Sequence, residues 1–119
     1  MNIYFQSKNV DLHPQAKEAM ANRIDGLKKF FSWDANVYID IEQTHSGNHG
    51  PELFYTSIKI DDPKAHYFAE EYKETIKSSF DHAYKDIYKI IRRDRGRSGN
   101  IAKKAAQKIK RLFKREQRY

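Results

Sequence analysis

The chain has 119 residues, 33% of them charged, and a formal net charge of +7 at pH 7. That length fits one domain able to bury roughly two thirds of its unfolded surface without cross-links. With no cysteine, disulfide frameworks, thiol nucleophiles and cysteine-ligated zinc are excluded, and a reducing compartment is permitted. No apolar run approaches the about 18 residues of a membrane span, and the N-terminus lacks the charged and apolar regions of a signal peptide. A cytoplasmic protein with no membrane partner is therefore expected.

From the start, Ile3 and Phe5 alternate with Tyr4 and Gln6 over Asn2 to Ser7, the period of a half-buried strand. Pro14 suits a first helical position, where its missing N–H costs nothing. Ala16, Met20, Ile24, Leu27 and Phe31 then predict a helix of about five turns of 3.6 residues, weakened in its middle by Gly26. Val37, Ile39 and Ile41 alternate with Tyr38, Asp40 and Glu42 in a second strand. Thr44 to Pro51 reads as a loop, whose His45 and His49 have only Glu52 nearby and do not make a metal site. Phe54, Thr56, Ile58 and Ile60 predict a third strand, Asp61-Asp62-Pro63 a turn, and Lys64 to Ala69 a fourth strand.

Glu70 to Arg97 carries the longest helical pattern. Tyr72, Ile76, Phe80, Ala83, Ile87 and Ile90 recur at helical spacing and form one apolar stripe. At 100° per residue, Lys77, Lys85, Lys89, Arg92 and Arg93 fall on the opposite half of the cylinder, and Arg95 and Arg97 continue the basic exit. The expected fold is α+β in the order βαβββα. It is a four-stranded mixed sheet with a right-handed first β–α–β crossover and two helices packed on one face, plus a basic C-terminal helical extension. Gly96 to Asn100 breaks the long helix, which divides the chain into a domain at 1–97 and a tail at 98–119. In the tail, Ile101, Ala105, Ile109, Leu112 and Phe113 make a narrow apolar stripe among basic residues, a helix expected to form on binding.

Charge is concentrated at the end. Residues 92–119 hold 12 Lys or Arg against two acids, a local charge of +10, whereas residues 1–91 sum to −3. A cluster this dense repels itself unless something anionic meets it, which points to a nucleic-acid or acidic-membrane partner addressed by one end of the molecule, the nucleic acid being the one expected.

Catalytic patterns are lacking. There is no Gly-rich phosphate loop, no H-E-x-x-H and no G-x-S-x-G. His82, at the edge of the apolar stripe, reads as a packing or phosphate-contact residue rather than a catalyst. Neither an enzyme nor a cofactor is expected.

The opening Met-Asn-Ile-x-x-x-Ser-Lys-Asn-Val-Asp-Leu-x-Pro, the helix end Leu27-Lys28-Lys29-Phe30-Phe31, and the long helix with Ile76, Asp81 and its basic exit resemble the ribosome hibernation-promoting factor and YfiA-like ribosome-associated inhibitor family, in its short form. The similarity runs over about residues 1–97. It implies a βαβββα fold and a stress or stationary-phase factor that binds the small ribosomal subunit and its rRNA, occludes the mRNA and tRNA channel and inhibits translation. By the same resemblance Arg23 falls where the first helix of the family is basic, with Lys29 near it, and Lys85 and Lys89 fall where the second helix is. Gly26 and His82 stand where the family commonly has Lys, and Thr75 where it has Ala. Contact weight then shifts toward Arg92, Arg93, Arg95 and Arg97. The full set expected to meet rRNA is Arg23, Lys29, Lys77, His82, Lys85, Lys89, Arg92, Arg93, Arg95, Arg97, Lys103 and Lys104.

Two other readings compete. Ser98-Gly99-Asn100-Ile101-Ala102-Lys103-Lys104-Ala105-Ala106 resembles the lysine-rich helix start of a general double-stranded RNA-binding module. The outer sheet face with Tyr38, Asp40 and Glu42 suits a protein-interaction adaptor. The free protein is expected to be a monomer.

Overall fold

The computed structural model describes residues 1–45 and 52–108, with side chains described for 1–44 and 52–95. Strand β1 (Asn2–Lys8) leads to helix α1 (Pro14–Asp25) and a short 3-10 turn (Lys28–Phe30). Strands β2 (Asn36–His45), β3 (Glu52–Asp62) and β4 (Ala65–Lys73) follow, then helix α2 (Ile76–Lys108). The sheet order is β1-β2-β3-β4, with β1 parallel to β2 and the two remaining pairs antiparallel. The expected βαβββα order and mixed sheet are present, with two helices packed on one face. The chain divides into two units, Met1–Tyr88 and Lys89–Tyr119.

In the first unit, period-2 alternation puts Val37, Ile39, Ile41, Ile58, Ile60, Tyr67 and Ala69 on the inner face of the sheet, all buried. Met20, Ile24 and Leu27, and Phe80, Ala83 and Ile87 of α2, are buried with them. A hydroxyl pair lies inside this core: Thr56 Oγ1 and Ser79 Oγ are 2.7 Å apart, and the Ser79 hydroxyl lies 3.0 Å from the Ile76 carbonyl. Both hydroxyls of the pair thus have a partner. The sharp β3–β4 turn at Pro63 and Lys64 is held by the buried Asp62 carboxylate, which accepts from the backbone N–H of Ser32 at 2.8 Å and of Lys64 at 3.1 Å.

Several element boundaries differ from the sequence expectation. The first helix stops at Asp25 instead of running to Phe31. At Gly26 and Leu27 the backbone N–H groups bond to the carbonyls of Arg23 and Ile24, the tighter i→i+3 pattern that closes a helix. Leu27 still reaches the core from that turn. Thr44 and His45 extend β2 rather than opening the loop, and His49 lies outside the described residues. Glu70 to Lys73 continue β4 rather than opening the long helix, because they pair in register with Phe54 to Ser57. The helix begins at Ile76, where the Thr75 hydroxyl accepts from the Ser78 N–H at 3.0 Å, an N-cap. The apolar stripe loses Tyr72, which is exposed on β4, and passes through Ile91 in place of Ile90, which is 37% exposed.

At its far end α2 does not break at Gly96 to Asn100, and its backbone is helical to Lys108. The segment Ser98 to Ala106 therefore lies within a helix and does not start one. Residues 109–119, including most of the expected tail stripe, lie outside the described residues.

Candidate nucleic-acid interface

In the first unit the cations expected to meet rRNA sit on the two helices and in the 3-10 turn between α1 and β2. Arg23 ends α1 with its guanidinium 2.7 Å from Asp81 Oδ1, and Lys77 reaches the other oxygen of the same carboxylate at 2.9 Å. Lys77 and Asp81 are four residues apart, one turn along α2, which is why they meet. The Arg23 guanidinium also lies 4.3 Å from the centroid of the Tyr84 ring and 6.0 Å from that of Phe80, within the range of cation–π attraction. Phe80, Tyr84 and Tyr88 stack along α2 with centroids 6.2 Å apart at each step. Arg23 is thus held by an ion pair at its edge and an aromatic ring beneath it.

These contacts have electrostatic consequences. Burial pushes the Asp81 carboxyl up, but the hydrogen bonds and charges of Lys77 and Arg23 outweigh it and hold the group below the usual carboxylate range. Burial raises the Tyr84 phenol against the lowering influence of Arg23, so it stays protonated at neutral pH. The clasp of Arg23, Asp81 and Lys77 carries one net positive charge rather than two.

Lys85 is exposed and makes no ion pair among the described residues. Lys29, in the 3-10 turn, is exposed with its ammonium 5.3 Å from the Phe30 ring. His82 is exposed, and its Nδ1 lies 2.8 Å from the Ser78 carbonyl. A carbonyl only accepts, so the proton sits on Nδ1 and Nε2 is the acceptor of the neutral ring. Near it, a hydrogen bond with the Asp86 carboxyl pushes Glu71 above the usual carboxylate range, helped by burial and the charge of Asp86 and opposed by Lys73 and His82. Between α1 and the start of α2 lies a groove of about 390 Å³, floored by Ala16, Ala19, Met20 and Phe80 and rimmed by Arg23, Lys77 and Asp81.

In the second unit, Lys89, Arg92 and Arg93 are exposed and Arg95 is half-buried. Arg97, Lys103 and Lys104 stand in the helical backbone of α2, with side chains outside the described residues.

The structure therefore brings Arg23 and Lys77 together through Asp81, and leaves Lys85 open. Sequence reasoning named both cations but missed Asp81 as their shared partner and Tyr84 as the ring under Arg23. The Lys77/Asp81 spacing was a visible signal for half of the clasp. The long-range half, between positions 58 apart, left none. Among the described residues there is no group of three His, Asp or Glu placed to hold a metal ion, and no helix is long and apolar enough to cross a membrane.

Comparison with solved structures finds the N-terminal domain of Protein Y from Thermus thermophilus, with a TM-score of 0.65 and 14% identity over 78% of this chain and 98% of that one. A ribosomal subunit interface protein from Coxiella burnetii also has a TM-score of 0.65, with 12% identity over 81% of this chain and 99% of that one. At such identities the likeness shows a shared fold. A search of curated proteins gives no match. The family model described as Sigma 54 modulation protein / S30EA ribosomal protein matches residues 3–98, which takes in β1 from Ile3 on, α1, β2, β3, β4 and the α2 cations from Lys77 to Arg97, and the chain belongs to that family.

Proposed function

We propose that this protein is a ribosome hibernation factor of the cytoplasm. It binds the small ribosomal subunit through rRNA, occludes the mRNA and tRNA channel and so inhibits translation under stress or in stationary phase. The observation that carries the reading is the family match over residues 3–98, joined to a helix face whose cations are held in place or left open. The names of the two structural relatives, Protein Y and a ribosomal subunit interface protein, support it. The fold acts as a rigid block rather than as a catalyst.

The physics of folded RNA explains how such a face works. A-form helices hide their base edges in a deep narrow groove, so a rigid domain reads shape, phosphate and 2′-hydroxyl positions. Arg23, fixed by Asp81 and Tyr84, presents its remaining donors in a set direction and loses little side-chain freedom on binding. Lys77, Lys85 and Lys89 add point charges along α2, with Lys29 and His82 beside them. Arg92, Arg93, Arg95 and Arg97 and then Lys103 and Lys104 extend the basic run. Residues 1–97 act as the docking domain, and the tail at 98–119 adds charge-driven adhesion. The free protein is a monomer in this reading. The competing double-stranded RNA module is weakened by the place of Ser98 to Ala106 inside α2.

The test is small-subunit binding beside in vitro translation. Changing Lys85, Lys89, Arg92 and Arg93 to Glu should abolish inhibition while leaving weak RNA adhesion. Truncation after Arg97 should keep site-specific inhibition at lower affinity. Wild-type affinity should fall with salt at a log–log slope of about −0.7 to −0.9 per phosphate neutralised. Normal inhibition by the Glu variant, or a flat salt response, would sink the proposal.

A further inference from the structure

The sheet face opposite the helices carries a row of aromatic side chains that the core does not use. Register places Tyr4 beside Tyr38, Tyr38 beside Lys59, and Lys59 beside Phe68, one residue from each strand in a line across the sheet. Tyr4 and Phe68 are each 50% exposed and Tyr38 37%. Tyr4 and Tyr38 stack with centroids 5.3 Å apart and planes 19° from parallel. Aromatic rings aligned on a solvent face, rather than scattered singly, mark a contact surface.

The neighbouring rungs set its charge. On one side Gln6, Asp40, Ser57 and Glu70 face each other in register, and on the other Asn2, Asn36, Asp61 and His66. Beyond the first lies Glu42, beside Lys8. Four carboxylates thus stand against two lysines, and Asp40 and Glu42 make no ion pair among the described residues. Phosphate would be repelled by such a face, and an apolar surface would strand its carboxylates. A cation is what it suits, and the sheet already holds one in this manner: the Lys59 ammonium lies 5.8 Å from the Tyr38 centroid and 3.9 Å from Asp61 Oδ2.

We propose that this outer face is a docking surface for an arginine-rich polypeptide segment, whose guanidinium groups stack on Tyr4, Tyr38 and Phe68 and pair with Asp40, Glu42 and Glu70. Arginine fits better than lysine because its planar guanidinium both stacks on a ring and meets a carboxylate with two parallel hydrogen bonds. The surface is independent of the helix face proposed for RNA. A protein with both faces engaged would join an RNA to the basic extension of a neighbouring protein.

The experiment is fluorescence anisotropy of labelled short peptides, an Arg-Gly repeat and a Lys-Gly repeat, together with a labelled oligouridine, each titrated with the full chain. Two variants are compared: Tyr4→Ser with Phe68→Ser, and Asp40→Asn with Glu42→Gln, each checked by circular dichroism and thermal melting. The Arg-Gly peptide should bind about tenfold more tightly than the Lys-Gly peptide, the size expected of one or two added stacking contacts. Both variants should lose about tenfold or more of that affinity and keep wild-type binding to small subunits. Equal binding of the two peptides would overturn the proposal. So would unchanged affinity in both folded variants, oligouridine binding that the outer-face variants abolish, or self-association of the wild type that they abolish. Loss of peptide binding with subunit binding intact separates this surface from the one proposed for rRNA.

Discussion

The two faces of the first unit answer the same problem, charge beside aromatic rings, in different ways. On the helix side a cation from one helix is locked over a ring of the other by a carboxylate between them: Arg23, Tyr84 and Asp81. On the sheet side the rings stand in a line and two acids nearby, Asp40 and Glu42, make no ion pair among the described residues. Helix geometry explains part of the contrast. Residues four apart on α2 stack into a continuous ladder with its polar partner one turn away, whereas strand geometry spreads like residues across neighbouring chains, one rung at a time. The first arrangement fixes a positive charge in place, and the second leaves negative charge open to a partner.

Both faces rest on one sheet, so the largest effect should come from its centre. Ile58 is fully buried on β3, and Ile58→Ala should cost about 3 kcal/mol through lost burial and the cavity left behind. Urea unfolding measures that loss. If the faces share this scaffold, binding to small subunits and to the Arg-Gly peptide should weaken together as temperature approaches the lowered midpoint.

A smaller change sharpens the helix side. Asp81→Asn keeps the shape of the clasp and removes its charge, freeing Arg23 and Lys77 for an anionic partner. Stability at pH 7 should fall by less than about 1 kcal/mol, as for other partly exposed ion pairs. Because the folded carboxyl titrates below its usual range, its contribution is present above the unfolded value and lost as pH falls through the lowered one. The difference between variant and wild type should therefore vanish in acid. Small-subunit affinity should rise at low salt, and filter binding at two salt concentrations checks it. An unchanged affinity would show that Asp81 does not restrain these cations.

The smallest effect belongs to Glu71, whose carboxyl is raised by its contact with Asp86. A raised carboxyl favours the folded state below its unfolded pKa, and that benefit is lost as pH rises through the raised value. Glu71→Gln should consequently melt slightly higher than wild type at pH 7, with the advantage gone near the acid limit. Thermal melts across that range would show it, and neither face should change its ligand affinity.

Much of this molecule is local. The alternation of Ile3 and Phe5, of Val37, Ile39 and Ile41, and of Thr56, Ile58 and Ile60 determined the strands and their inner faces, because the period of two is imposed by the pleat itself. The basic run from Lys85 onward was equally plain, since charge can be counted without knowing where the chain goes. Other features were decided only by contacts between distant residues. Glu70 to Lys73 have a composition that fits a helix start, yet pairing with β3 keeps them extended. Asp81 reads as one acid among 16 until α1 brings Arg23 against it. Tyr4 and Phe68 read as ordinary strand residues until register sets them on one line with Tyr38. Period and charge are properties of a segment, while pairing, clasp and line depend on which segments the hydrophobic core brings together.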